Sequence, residues 1–138
     1  MAYKGDLSAP EAWRLLSENP AAQLVDVRTR AEWTFVGVPD LAPLGRKLLL
    51  IEWHPFPNTG PNPEFGRQVE ANAPQRDAPL LFLCRTGGRS LAAANAMTTR
   101  GYTACYNVAG GFEGDLDGRG HRGLVSGWKA AKLPWTQS

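Results

Sequence analysis

The chain has 138 residues, 43% of them hydrophobic, which suits one globular domain spanning residues 1–138 and leaves too little for a second core. Fifteen Lys and Arg against thirteen Asp and Glu give a net charge of +2, without the concentrated positive charge of a nucleic-acid binder, so no nucleic-acid partner is expected. The opening MAYKGDLSAP has no apolar signal core, and no segment reaches the roughly 18–20 apolar residues that cross a bilayer; a soluble, cytoplasmic protein with no membrane partner is expected.

A short strand is expected at Ala2 to Lys4. Ser8 followed by Glu11 has the spacing of a capping box, and Trp13, Leu15 and Leu16 supply an apolar face, so residues 9–18 read as a helix ended by Asn19 and Pro20. Four apolar runs bounded by turn residues, AQLVDV (22–27), KLLLIE (47–52), PLLFLC (79–84) and ACYNVA (104–109), read as strands buried on both faces. Between the last two lies SLAAANAMTTRGY, rich in helix formers, with Arg100 in its final turn and Gly101 placed to end it. Strands alternating with helices predict an α/β fold, a five-stranded parallel sheet flanked by helices on both faces. Ligands of such sheets bind at the carboxyl edge of the strands.

The stretch WHPFPNTGPNPEF (53–65), with four prolines, predicts a loop that either walls a pocket, through Trp53, His54 and Phe56, or is a passive surface crossover. A short helix is expected near Trp128 to Lys132, with the tail aromatics anchoring the end of the chain. His54 and His121 have no neighbours at ligand spacing, so no metal is expected. The two cysteines offer no disulfide framework. Cys105 starts its strand where Cys84 ends a parallel one, which puts the sulfurs on the order of 10–15 Å apart, beyond disulfide reach, and makes Cys105 a core residue.

The chemistry concentrates in LLFLCRTGGRS (80–90). Cys84 ends a strand and Ser90 opens a helix, leaving Arg85, Thr86, Gly87, Gly88 and Arg89 as a tight connecting loop. The unpaired N–H groups and positive dipole end of the helix face that loop, and the glycines let successive N–H groups converge. With two guanidinium groups added, such surroundings favour thiolate over thiol, and the thiolate is the nucleophile. Asp26 and Arg28 end the first long strand and face the same edge, in a salt bridge or loop-tethering hydrogen bonds with Glu32, or in a direct role.

CRTGGRS resembles the active-site loop of rhodanese-type sulfurtransferases, and LVDVRTRAEW, RGYTACYNVAGGFEG and GWKAAKLPW resemble further segments of that family, in family order from about Leu24 onward. The resemblance implies a three-layer rhodanese-like fold with a five-stranded parallel sheet. It also implies a reaction in which Cys84 takes a sulfane sulfur from a donor such as thiosulfate and passes it from a persulfide to cyanide or a thiol. The loop N–H groups of residues 85–89 would stabilise the persulfide, Arg85 and Arg89 would hold the small anionic donor, and Asp26, Arg28 and Ser90 would support the loop. No cofactor is implied. Two places depart from the family pattern: FVGVPD lacks the histidine of a Gly-His-Ile segment, and Asp115 stands where a tryptophan often follows the Gly-Gly pair.

Two other classes fit the same loop. A cysteine phosphatase or arsenate reductase resembles a Cys with five residues before its Arg, whereas four separate Cys84 from Arg89, a loop sized for one sulfur more than for a tetrahedral oxyanion. A non-enzymatic persulfide carrier or binding module would serve a protein partner; the presence of Cys84 argues against an inactive module and leaves the carrier open.

Overall fold

The computed structural model describes residues 2–55 and 60–137. In chain order it forms β1 (Gly5–Leu7), α1 (Ala9–Glu18), β2 (Gln23–Asp26), α2 (Arg30–Phe35), β3 (Val38–Pro39), a 3-10 turn (Ala42–Leu44), β4 (Leu49–Leu50), α3 (Phe65–Asn72), β5 (Leu80–Leu83), α4 (Gly88–Thr99), β6 (Cys105–Val108), α5 (Gly127–Ala130) and β7 (Trp135–Thr136). Five strands make one parallel sheet in the order β1-β6-β5-β2-β4, and β3 pairs with β7 in a small antiparallel ribbon. No helix among the described residues is long and apolar enough to cross a membrane.

Strand parity divides the core in two. Leu80, Phe82 and Cys84 point to one face, with Val69 of α3 and Ala93, Ala94 and Met97 of α4. Leu81 and Leu83 point to the other, against Leu16 of α1 and Trp128 of α5. Apolar residues are needed at every position of β5 because both its faces are covered. The N-terminal helix begins and ends as its caps dictate: the Ser8 side chain accepts from the Glu11 N–H, the Glu11 carboxylate accepts from the Ser8 N–H, and Asn19 is the C-cap. Gly101, at φ +99, ends the α4 segment as expected.

Three boundaries differ from the sequence expectation. The first strand is Gly5–Leu7, not residues 2–4; it is an edge strand bonded only to β6, so apolar content is a poor guide to it. The 47–52 run yields only Leu49–Leu50, also at an edge, with Leu50 46% exposed. The helix after the cysteine begins at Gly88 rather than Ser90, which shortens the connecting loop to residues 85–87. Two helices went unexpected, α2 and α3. The signal for α2 is present in Thr29-x-x-Glu32, a second capping box.

The chain end is anchored by aromatics, as expected. Trp128 is fully buried, meets Trp13 edge to face at 5.9 Å and donates to the Pro134 carbonyl, and Trp135 meets Phe112 at 6.0 Å. Of the proline-rich stretch, Trp53 is partly buried and packs on Phe65 at 5.1 Å, and Phe56 lies outside the described residues.

Candidate active site

Cys84 is the first residue past β5, at the carboxyl edge of the central strand, where the chain leaves the sheet and enters α4 four residues later. Odd and even positions decide what meets its sulfur. Cys84 lies on the α4 face of the sheet, and so does Asn107, whose neighbours Tyr106 and Val108 belong to the opposite core. The Gly87 N–H donates to Cys84 Sγ at 3.1 Å, from a residue at φ +122 that only glycine adopts readily. Ser90 Oγ, one turn into α4, stands 3.2 Å from the same sulfur. The residue is 2% exposed, so the sulfur is at the floor of the loop rather than on its rim.

The two arginines behave differently from the sequence expectation that both present their charge to the sulfur. Arg85 is exposed to solvent. Arg89 is clamped by Glu32, which accepts from both terminal nitrogens at 2.6 and 2.9 Å. Its hydrogen bonds to Glu32 hold Arg89 above the usual arginine range against partial burial, and the nearby charges of Glu32, Cys84 and Asp26 add to the effect. Arg89 is therefore within electrostatic reach of the sulfur, but a carboxylate offsets its charge.

Burial pushes the Glu32 carboxyl up, yet the Arg89 hydrogen bonds, the Thr29 N–H and the charges of Arg89 and Arg28 outweigh it, and Glu32 is lowered from 4.5 to about 2. The sign follows from that depression: the stabilisation is complete above about pH 4.5 and is lost as pH falls toward 2. Replacing Glu32 with Gln should lower stability at neutral pH by about 1–2 kcal/mol, a value reduced for solvent screening at this partly exposed site. Urea titrations of both proteins at stepped pH should show the difference shrinking between about pH 4.5 and 2.

Asp26 and Arg28 are at the expected sheet edge but, among the described residues, form no hydrogen bond or ion pair with Glu32, which pairs with Arg89 instead. They bind each other: Arg28 donates through Nε at 2.9 Å and Nη2 at 2.6 Å to the two carboxylate oxygens, with both side chains fully buried. Arg28 also donates to the Gly37 carbonyl and lies 4.4 Å over the Phe112 ring. The pair thus links β2 to the loop that follows β6.

That loop, Gly110–Gly114, is the support the sequence reading missed. Phe112 N–H donates to the Cys84 carbonyl at 2.8 Å, and the N–H groups of Glu113 and Gly114 donate to the Arg85 carbonyl. Consecutive glycines at the end of β6 were the available signal. Cys105 is buried in β6, in register with Leu80 at the far end of β5 from Cys84, as expected of a core residue, and its burial pushes the thiol up. Among the described residues no group of three or more His, Cys, Asp and Glu is arranged to hold a metal ion.

A five-stranded parallel sheet carrying a cysteine loop against a helix N-terminus defines the rhodanese-like class of α/β proteins. The family model described as the STR4 middle domain matches residues 4–138, and the chain belongs to this family of rhodanese-like domains. It is similar to the crystal structure of Rv0390 from M. tuberculosis, with 48% identity and a TM-score of 0.90 over 99% of this chain and 100% of that one. It is 37% identical over 135 residues to an uncharacterised protein of Rickettsia rickettsii, covering 94% of this chain and 95% of that protein. A chloroplastic thylakoid rhodanese-like protein of Oryza sativa subsp. indica is 30% identical over 132 residues; these are 96% of this chain but 25% of the plant protein.

Proposed function

We propose that the chain is a sulfurtransferase in which Cys84 carries sulfur as a persulfide. The observation that carries this reading is the Gly87 N–H directed at Cys84 Sγ, within a loop that opens straight into the first turn of α4. Fixed N–H donors and a helix N-terminus stabilise negative charge on sulfur without reorganising during the reaction. The Cys84 thiolate attacks the outer sulfur of thiosulfate or a comparable small anion. The S–S bond of the donor breaks with its electron pair departing on sulfite. A thiolate or cyanide then attacks the outer sulfur of the persulfide, and Cys84 leaves as thiolate, ready for another cycle.

In this reading the N–H groups of residues 85–89 receive the outer sulfur, and Arg85, free in solvent, draws in the anionic donor. Ser90 braces the thiol, and Asp26 and Arg28 act through the loop they support rather than on substrate. The route needs no metal or organic cofactor, and a free thiol nucleophile fits a reducing compartment such as the cytoplasm. Arg89 weighs against a phosphatase: a guanidinium held on both nitrogens by Glu32 is not free to grip a phosphate.

Intact-mass measurement after thiosulfate treatment tests the proposal. The protein should gain one sulfur, lose it on adding cyanide, and gain none as Cys84→Ser. Uptake from thiosulfate alone separates an enzyme from a carrier that is loaded only by a protein partner. Hydrolysis of an aryl phosphate with no sulfur gained would overturn the reading.

A further inference from the structure

Behind the sulfur runs a chain of hydrogen bonds that reaches the protein surface. Asn107 Nδ2 donates to Asp6 Oδ1 at 3.1 Å, Ser90 Oγ donates to Asn107 Oδ1 at 2.5 Å, and Ser90 Oγ meets Cys84 Sγ at 3.2 Å. Sheet parity assembles it, since Asp6 of β1, Asn107 of β6 and Phe82 of β5 are in register across three strands.

Its direction follows from the donor inventory. An ionised carboxylate only accepts, so the amide face toward Asp6 is the N–H₂ face, and Asn107 turns its carbonyl toward Ser90. Tyr3 also donates to Asp6 Oδ1, at 2.9 Å, which leaves the carboxylate as the common acceptor. A hydroxyl has one hydrogen. With that hydrogen on Asn107, Ser90 can offer the sulfur only a lone pair, which accepts from a thiol S–H and repels a thiolate.

We propose that Asn107, oriented by Asp6, is a positioning residue that restrains the Cys84 nucleophile by withholding the Ser90 hydrogen from its sulfur. For the hydroxyl to join the Gly87 N–H in donating to the sulfur, it must rotate away from Asn107. Rotation strands the Asn107 carbonyl, a buried acceptor on a side chain 5% exposed, and this opposes it. The other charges around Cys84 are Arg89 with Glu32, the mutually bound Asp26 and Arg28, and solvent-exposed Arg85; none of them occupies the Ser90 hydroxyl. The inference deepens the sulfurtransferase reading, since it names what restrains the nucleophile of that site.

Alkylation of Cys84 by iodoacetamide across pH, read by peptide mapping, tests it without any sulfur transfer. Asn107→Ala removes the acceptor of the Ser90 hydrogen, and Asp6→Ala, at an exposed side chain, removes the acceptor that orients the amide, so that Asn107 can turn its N–H₂ toward Ser90; in both the hydroxyl can donate to the sulfur. Both should raise the alkylation rate at pH 7 by about fivefold or more and move the profile to lower pH, because a hydrogen bond to the charged form favours it. In a Ser90→Ala background the acceleration should vanish. Unchanged or slower alkylation, or an acceleration that survives in the Ser90→Ala background as a bare charge effect would, overturns the proposal. Labelling of buried Cys105 in the same samples reports any opening of the fold, and should Asn107→Ala open it, the Asp6→Ala comparison decides. Should the native protein gain no sulfur from thiosulfate, the functional reading fails while the alkylation comparison stands; should it gain sulfur with superimposable profiles, only the positioning role fails.

Discussion

Asp26→Ala is expected to destabilise the protein by about 3–5 kcal/mol, because it leaves Arg28 charged and unpaired in a fully buried position. Arg28 has little to fall back on. Among the described residues one terminal nitrogen, Nη1, has no hydrogen-bond partner, and apart from Asp26 the side chain donates only to the Gly37 carbonyl. Urea unfolding at neutral pH measures the loss, which should appear as a lower midpoint with little change in slope. A double variant, Asp26→Ala with Arg28→Met, should recover a large part of it, since removing both charges ends the desolvation penalty and leaves an apolar side chain on the Phe112 ring. If the single variant were as stable as the native protein, the pair would not be the buried tie between β2 and the post-β6 loop.

Gly111→Ala should act on the site and the fold together. Gly111 has φ +60, and a Cβ there would overlap the carbonyl oxygens of Cys84 and Arg85. Those are backbone atoms of the cysteine loop, so relief requires the loop to move. The strained backbone and the lost N–H donations from Phe112, Glu113 and Gly114 together should lower stability by about 2–4 kcal/mol. Sulfur loading from thiosulfate should fall at least about tenfold even where the protein remains folded, since the Gly87 N–H and Cys84 Sγ would lose their alignment. Single-turnover mass measurements at a temperature below the variant's unfolding transition separate the two effects. Gly118, where a Cβ meets nothing within 4 Å, is the matched control and should tolerate alanine.

Much of the sheet was legible in the linear pattern. The central strands β2, β5 and β6 and helix α1 came out at or within a residue of their expected ends, because apolar runs bounded by turns, and caps such as Ser8 and Glu11, are local signals. The edge strands were legible only in part: β1 lies just past the expected residues 2–4, and β4 keeps only Leu49–Leu50 of the apolar run 47–52, since each bonds to one neighbour. Cys84 and its glycines were likewise visible as a strand-to-helix loop, since chain order alone puts a thiol next to a helix N-terminus. Where the guanidiniums go was not. Nothing near Arg89 in the chain says that Glu32, 57 residues away, captures it.

An α/β sheet, the cysteine at its carboxyl edge and one loop N–H beside the sulfur depend on residues within a few positions of one another, and so were legible in the chain. Which charges come near the sulfur depends on contacts between segments far apart in the chain. The Glu32 clamp on Arg89, the closed Asp26–Arg28 pair, the Gly111 brace and the Asp6–Asn107–Ser90 chain all join residues that meet through strand order and register. Hydrogen bonds and ion pairs act over a few ångströms, and which side chains come that close is fixed by packing rather than by spacing along the chain.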